Sequence, residues 1–482
     1  QSCKASISAV GMMWGNALFS AQGDWEMIAK LIQQMAHKAP AATLFRGLLE
    51  RTLSDESLDE IFNDYREHQL QSKILFSHLV NMLAPVITRA SKSVNAAHQA
   101  AEHGYSRQAL YDKLKGVESP VASALLRVST EKLTKIRKAT KTTHRDVIKG
   151  FHTFVIDGKT YNATEHRLIE SRSDARAPLP GRAIALLDMR HEMFVDVECD
   201  VNAYRCERKI AERLLQRQLL PGALYIADRN FSDGNLLECF FAKQSFFIIR
   251  QHGACPSWRE IAGEKRFSAG KDSDGQKVYE QRIEVQLPDG SWKMVRRITV
   301  KLSTPARDGD KELHLLTNLP TRVRAGRIST AYRRRWTIEN CFGHLSRALN
   351  AEIRALCYPQ AAGLCFSLAL LLFNVMSCVR MLLLKHGQYS KRYEISDVSY
   401  YYIADEISRS QFVMDELVAS RQWKVFASMS LAEFTRFLRS TAAHASLARY
   451  RKHVRGPTKP KPKRRFTGSR HVSTQKILEA RK

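Results

Sequence analysis

At 482 residues and 44% hydrophobic content, the chain is long enough for about three domains around a large core, which excludes a chain too polar to fold. Its 76 Lys and Arg against 48 Asp and Glu leave a net charge of +28, which points to a polyanionic partner: DNA or RNA first, an anionic membrane surface second. Nine cysteines contain no Cys-x-x-Cys pair and several lie in apolar runs, so reduced, buried thiols are expected and structural zinc is not. No signal-peptide pattern opens the sequence, and Gln1 reads as a trimmed start.

Residues 24–150 read as helical. Ser54 can cap a helix bearing Leu58, Ile61, Phe62 and Tyr65 at helical spacing, and an apolar helical segment follows over 74–86. Two short helices come next, over 94–102 and 107–115, joined by a turn at Gly104, with Ser106 as N-cap and Gly116 closing the second. The pair is helix-turn-helix-like. Its second helix offers Arg107, Gln108, Tyr111 and Lys115 to phosphates or base edges, unless it is an ordinary helical hairpin. The basic run Lys132, Lys135, Arg137, Lys138, Lys141 and Arg145 is either a solvated linker or a second contact to a polyanion.

From Phe151 the periodicity changes to strand. Residues 151–156 are β-branched and aromatic and end in Asp157-Gly158. Strands over 182–189 and 193–199 and a helix over 203–219 follow; then an apolar strand over 223–227 again ends in an acid, Asp228, before a helix over 233–243 and a strand over 246–250. A right-handed crossover would lay the fourth strand parallel to the first and bring both carboxylates to one sheet edge. Alone, Asp157 fits a turn and Asp228 a helix N-cap. Side by side, they make sense chiefly as a magnesium site.

Residues 332–347 read as one helix on which Tyr332, Arg335 and Glu339 fall within roughly 60° of one another. That face suits either a solvated Arg335 and Glu339 ion pair, or a carboxylate holding a hard cation with an arginine one turn away holding a phosphate. The three acids together favour the second reading.

The combination of Asp157-Gly158, Asp228-Arg229-Asn230-Phe231 and Tyr332-x-x-Arg335-x-x-x-Glu339 resembles the transposases of bacterial insertion sequences that carry a Tyr-Arg-Glu-Lys signature, within the Asp-Asp-Glu superfamily. The resemblance spans roughly residues 150–380, and Ser93-Val94-Asn95-Ala96-Ala97 and Tyr111-Asp112-Lys113-Leu114 look like that family too. It implies an RNase H-like catalytic core in which Asp157, Asp228 and Glu339 bind two divalent cations, Mg2+ or Mn2+, with Tyr332 and Arg335 on transposon-end DNA. Where the family has lysine, this chain has Ser346 followed by Arg347, and Arg347 is either its replacement or a surface residue.

The stretch ahead of Glu339 reads as hairpins, with strands over 277–285, 292–302 and 312–319. Family members can use such an insertion to hold a flipped base, and Trp292 or Trp258 could stack one, unless either is core. The strongest apolar run, 361–384, is interrupted by Ser367, Asn374, Ser377 and Arg380 and reads as a helix buried against the sheet rather than a membrane span. Helices are expected over 415–422 and 432–441. Residues 451–482 carry 12 Lys and Arg against one acid, the composition of a disordered polyanion-binding tail.

The expected fold class is therefore α/β: an RNase H-like mixed sheet flanked by helices, interrupted by a β-rich insertion, with all-helical N-terminal and C-terminal regions. The expected division is a helical DNA-binding region (1–150), a core in two parts (151–250 and 321–385) around the insertion (251–320), a helical region (386–450) and the tail. The expected function is DNA transposition on double-stranded DNA, by a homodimer at the paired ends, in the bacterial cytoplasm at the nucleoid and away from membranes. A transposase-derived DNA-binding protein that no longer cuts, and a metal-dependent nuclease without strand transfer, are the alternatives.

Overall fold

The computed structural model describes residues 22–101, 104–162, 169, 179–306, 309–353, 355–453 and 456. The tail expected beyond residue 451 thus lies almost wholly outside the described residues. Before the first strand come helices α1 (Gln22–Lys38), α2 (Pro40–Thr52), α3 (Asp55–Tyr65), α4 (Phe76–Ile87), α5 (Val94–Ala100), α6 (Arg107–Lys115) and α7 (Ser119–Ala139). The caps fall where the side chains call for them: Ser54 Oγ accepts from the Ser57 N–H, and Ser106 Oγ from the Ala109 N–H.

Next come β1 (Thr153–Thr160), β2 (Arg182–Asp188), β3 (Met193–Asp200), α8 (Glu207–Gln218), β4 (Leu224–Ala227), α9 (Gly234–Ala242) and β5 (Phe246–Arg250). The insertion contributes β6 (Trp258–Glu260), β7 (Phe267–Lys271), β8 (Lys277–Gln286), β9 (Trp292–Lys301) and β10 (Glu312–Thr317). Its strands do not stand apart from the core. They extend one ten-stranded sheet in the order β3-β2-β1-β4-β5-β10-β9-β8-β6, with β7 beside β8. β1, β4 and β5 are parallel neighbours, and the remaining pairs are antiparallel. The mixed α/β fold class is the one expected.

Strand alternation divides the core in two. Phe154, Ile156, Tyr225 and Ala227 face α8 and α9, while Val155, Leu224 and Ile226 face the larger helical cluster. On that second side lie α10 (Ala325–Arg333), α11 (Trp336–Ala348) and α12 (Pro359–His386). α12 is the apolar run: all its residues from Leu364 to Leu383 are buried, packed against α7 and β3, and Asn374 serves the core by accepting from the Phe194 N–H and donating to its carbonyl. It is long and apolar enough to cross a membrane, but protein covers it.

The C-terminal helices are α13 (Tyr400–Leu417), α14 (Ser420–Trp423), α15 (Val425–Ser428) and α16 (Leu431–Ala443). The helix expected over 415–422 is interrupted, because Val418 is extended and fully buried and Ala419 starts a new cap.

Candidate active site

The parallel pairing of β1 with β4 registers Thr153 with Leu224 and Val155 with Ile226. Two residues further along, the same register sets Asp157 beside Asp228, on strands about 4.8 Å apart. Both acids share the parity of Val155 and Ile226, so both face the side on which α11 lies. Asp157 does not end its strand, as expected from the Asp-Gly pair. β1 continues to Thr160 because β2 pairs with it throughout, and only the parallel partner stops. Asp228 is indeed a cap: its Oδ1 accepts from the Asn230 N–H at 2.8 Å across a single 3-10 turn. The Gly158 N–H donates to Asp157 Oδ1, also at 2.8 Å.

Residues 332–347 are not one helix. At Arg334 and Arg335 the α-helical ladder gives way to i→i−3 bonds, with Arg334 N–H to the Ala331 carbonyl and Arg335 N–H to the Tyr332 carbonyl, and α11 begins at Trp336. In such tightened turns residues three apart eclipse, so the break stacks Arg335 over Tyr332 rather than separating them. Arg335 then reaches both ways: its Nη1 lies 2.7 Å from Glu339 Oε1 and 3.4 Å from Asp157 Oδ2. The expected face of Tyr332, Arg335 and Glu339 thus forms, by a different backbone route.

Burial pushes the Asp157 carboxyl up to about 7; Asp228 and Glu339 add to the rise, while the Gly158 N–H and the Arg335 guanidinium oppose it. Burial likewise pushes the Tyr332 phenol up to about 12, against the nearby Arg335. Asp228 and Glu339 act electrostatically on Asp157, and although the ligand oxygens of the three do not all lie within 4.8 Å of one another, they form an all-oxygen donor set, which suits a hard cation such as Mg2+ or Mn2+. A guanidinium already bridges two of the acids, and its Nε is buried without an acceptor. These residues fit a cation. The tightest group of possible ligands among the described residues lies elsewhere: His152 Nε2 and His191 Nδ1 both bond the Asp188 carboxylate, at 2.8 and 2.5 Å, at the opposite end of β1.

The more distant candidates scatter. Trp292 starts β9, half-buried under the Arg259 guanidinium. Trp258, 36% exposed, instead lines an open cleft of about 730 Å³ with Arg250, Arg297, His314 and Arg229, the residue that follows Asp228 in the chain. Arg347 is exposed and folds back over Gly343, one turn towards Glu339. Arg107 and Gln108 sit on α6, far from the triad in sequence and tied locally, Arg107 to Asn95 and Gln108 to Asp112.

Sequence reading missed three residues near the site. Arg89 donates to the carbonyls of Ser346 and Leu349 at the end of α11, and only its left-handed backbone aims it there. Trp336, 59% exposed, stands under the Arg335 guanidinium; a tryptophan three residues before Glu339 was a usable signal. Glu207 meets both aspartate loops, a link between distant segments with no local signature.

No curated protein matches the chain. A solved piggyBac transposase synaptic complex with hairpin DNA is similar at a TM-score of 0.34 and 11% identity, over 85% of this chain and 87% of that one. Asp157, Asp228, Tyr332, Arg335 and Glu339 all fall within residues 148–374, the stretch that matches the family described as the transposase DDE domain.

Proposed function

We propose that the chain is a DNA transposase of a bacterial insertion sequence, with a Tyr-Arg-Glu-Lys signature altered at its last position. It would bind the ends of the element, cleave them by metal-dependent hydrolysis and join the 3′ ends to target DNA. The observation that carries the reading is the convergence of Asp157, Asp228 and Glu339, from three segments, on one face at the carboxyl edge of β1 and β4.

Asp157, Asp228 and Glu339 would hold Mg2+ or Mn2+, two ions in the full site. When bound, such ions lower the pKa of a water and stabilise the charge on a departing oxygen. The protein's own groups do the rest. Gly158 and Asn230 N–H groups fix the two aspartates, and Arg335, whose Nε is buried without an acceptor, would offer its planar fork to a phosphate. Tyr332, neutral at physiological pH like any phenol and held further from ionisation by burial, can donate a hydrogen bond beside that phosphate. No covalent enzyme intermediate is required.

The charge of +28 supports double-stranded DNA as partner, and joining two ends calls for a homodimer in the synaptic complex. A cytoplasmic site at the nucleoid is part of the proposal, supported by the free thiols of Cys199, Cys206, Cys239, Cys255, Cys341, Cys365 and Cys378. Ser346 favours one second reading, a derivative that binds ends without cutting.

DNA flanking the coding region supplies the test. Duplexes carrying its terminal inverted repeats, incubated with the protein, Mg2+ and a plasmid, should yield cut 3′ ends and joined products. Bound but uncut ends would support the second reading, and no preference for the repeats would refute both.

A further inference from the structure

Glu207 opens α8, and its carboxylate lies between the two aspartate loops. The Asn230 side-chain amide donates to Glu207 Oε2, while the Asn230 N–H holds Asp228 Oδ1. On the other side Glu207 Oε1 lies against Gly158, where a Cβ would stand 2.9 Å from it and 3.1 Å from Ile184 Cδ1. Gly158 follows Asp157 directly. Arg182 Nη1 stands 3.6 Å from the same Oε1 and donates to the Arg205 carbonyl, while Arg182 Nη2 donates to Thr160 Oγ1.

We propose that Glu207 is a positioning residue for Asp157 and Asp228, fixing the Asn230 amide with one oxygen and walling Gly158 with the other. The inference rests on the transposase reading of that pair and adds a residue to it. The Asp228 loop needs such a tie. After β4 it turns through the three-residue 3-10 segment Arg229–Phe231, held at its far end by buried Phe231 and by Ser232 Oγ donating to the Cys255 carbonyl, while Asn230 at its middle is exposed. α8 can provide a rigid anchor because Ile210, Ala211, Leu214 and Leu215 are buried in the core. Its N-terminal dipole favours a negative charge at the first turn. With its side chain 22% exposed, Glu207 is sheltered enough to stay in place. A glycine at 158 fits the same account, since any side chain there would displace the carboxylate.

The test is Mn2+ binding to the full chain, followed by the electron paramagnetic resonance of free Mn2+, with thermal unfolding as the check on folding. Glu207→Ala and Asn230→Ala should each weaken binding about tenfold, as loss of a residue that orients ligands typically does. The double variant should be no weaker than Glu207→Ala alone, because that change already cuts the tie to Asn230. Glu207→Gln should bind within about threefold of wild type, since its amide oxygen still accepts from Asn230. Asn230 is exposed, so that variant reports on the tie even if Glu207→Ala fails to fold.

Wild-type binding by both Glu207→Ala and Asn230→Ala would overturn the positioning role. So would a Glu207→Gln variant as weak as Glu207→Ala, because the charge itself would then be a ligand. Mn2+ binding untouched in Asp228→Asn would overturn the site and the proposal with it, a result separable from the other two.

Discussion

Removing the Arg335 guanidinium should destabilise the fold more at high pH than at low pH. The attraction between Arg335 Nη1 and Asp157 across 3.4 Å is about 5 kcal/mol at an effective dielectric constant of about 20, before desolvation. Both side chains are mostly buried, with 11% and 15% exposure, so desolvation cancels much of it and leaves about 1–3 kcal/mol. That would raise the Asp157 carboxyl of Arg335→Ala by about one to two pKa units above the wild type's.

The sign follows from linkage. A carboxyl raised in the folded state binds its proton more tightly there, so stability falls as pH rises from the unfolded value near 3.8 to about 7, and then levels off. In Arg335→Ala the fall continues beyond 7. At about pH 6 Asp157 is mostly protonated in both proteins, so of the ion pairs the variant loses chiefly that with Glu339, which is a third exposed and contributes about 0.5 kcal/mol, while the contact with Trp336 is lost equally at every pH. At about pH 9 the deficit should reach about 2–3 kcal/mol. Urea unfolding in EDTA at both pH values measures it. An equal deficit at the two, or a larger one at pH 6, would refute the electrostatic account of the site.

Further substitutions probe the residues proposed to face DNA. Arg347→Ala should weaken end binding and cleavage at fixed salt, and adding Ser346→Lys should restore part of both; equal values for wild type and Arg347→Ala would leave the fourth signature contact vacant. Trp258→Ala should cost about 1–3 kcal/mol of end-DNA affinity if its ring stacks a base in the cleft beside Arg229, whereas Trp292→Ala should cost less than 1 kcal/mol, on the order of a surface change. The opposite ranking in a mobility-shift titration would restore Trp292 as the stacking residue.

The half of the sheet from β1 to β5 was legible because its strands are apolar runs bounded by turn residues, and the order of strands and one helix fixes which carboxylates meet. Asp228 as both cap and sheet-edge acid shows two local readings satisfied together. The break at Arg334 and Arg335 was not legible, since three consecutive arginines are good helix formers. It is set by α10 docking on the β7–β8 turn, where Asp272 accepts from Ser329 and binds Arg333, and where Gly326 allows the Lys271 carbonyl to within 2.8 Å of a Cβ position. Nor could pattern show that β8, β9 and β10 join the core sheet. That depends on the pairing of β10 with β5, an edge that looks like any other apolar strand in sequence. Glu207 and Arg89 escaped for a related reason: each acts on residues far away in the chain.

Asp157, Asp228 and Glu339 are proposed to act as one cation-holding unit on DNA. Single-turnover cleavage of a duplex carrying the element's terminal repeat, with Mg2+, should be compared for wild type, Asp157→Asn, Asp228→Asn and Glu339→Gln, with end affinity measured alongside. The account predicts that each variant binds the end nearly as wild type and that none cuts it. A variant that binds and still cuts at the wild-type rate would contradict it.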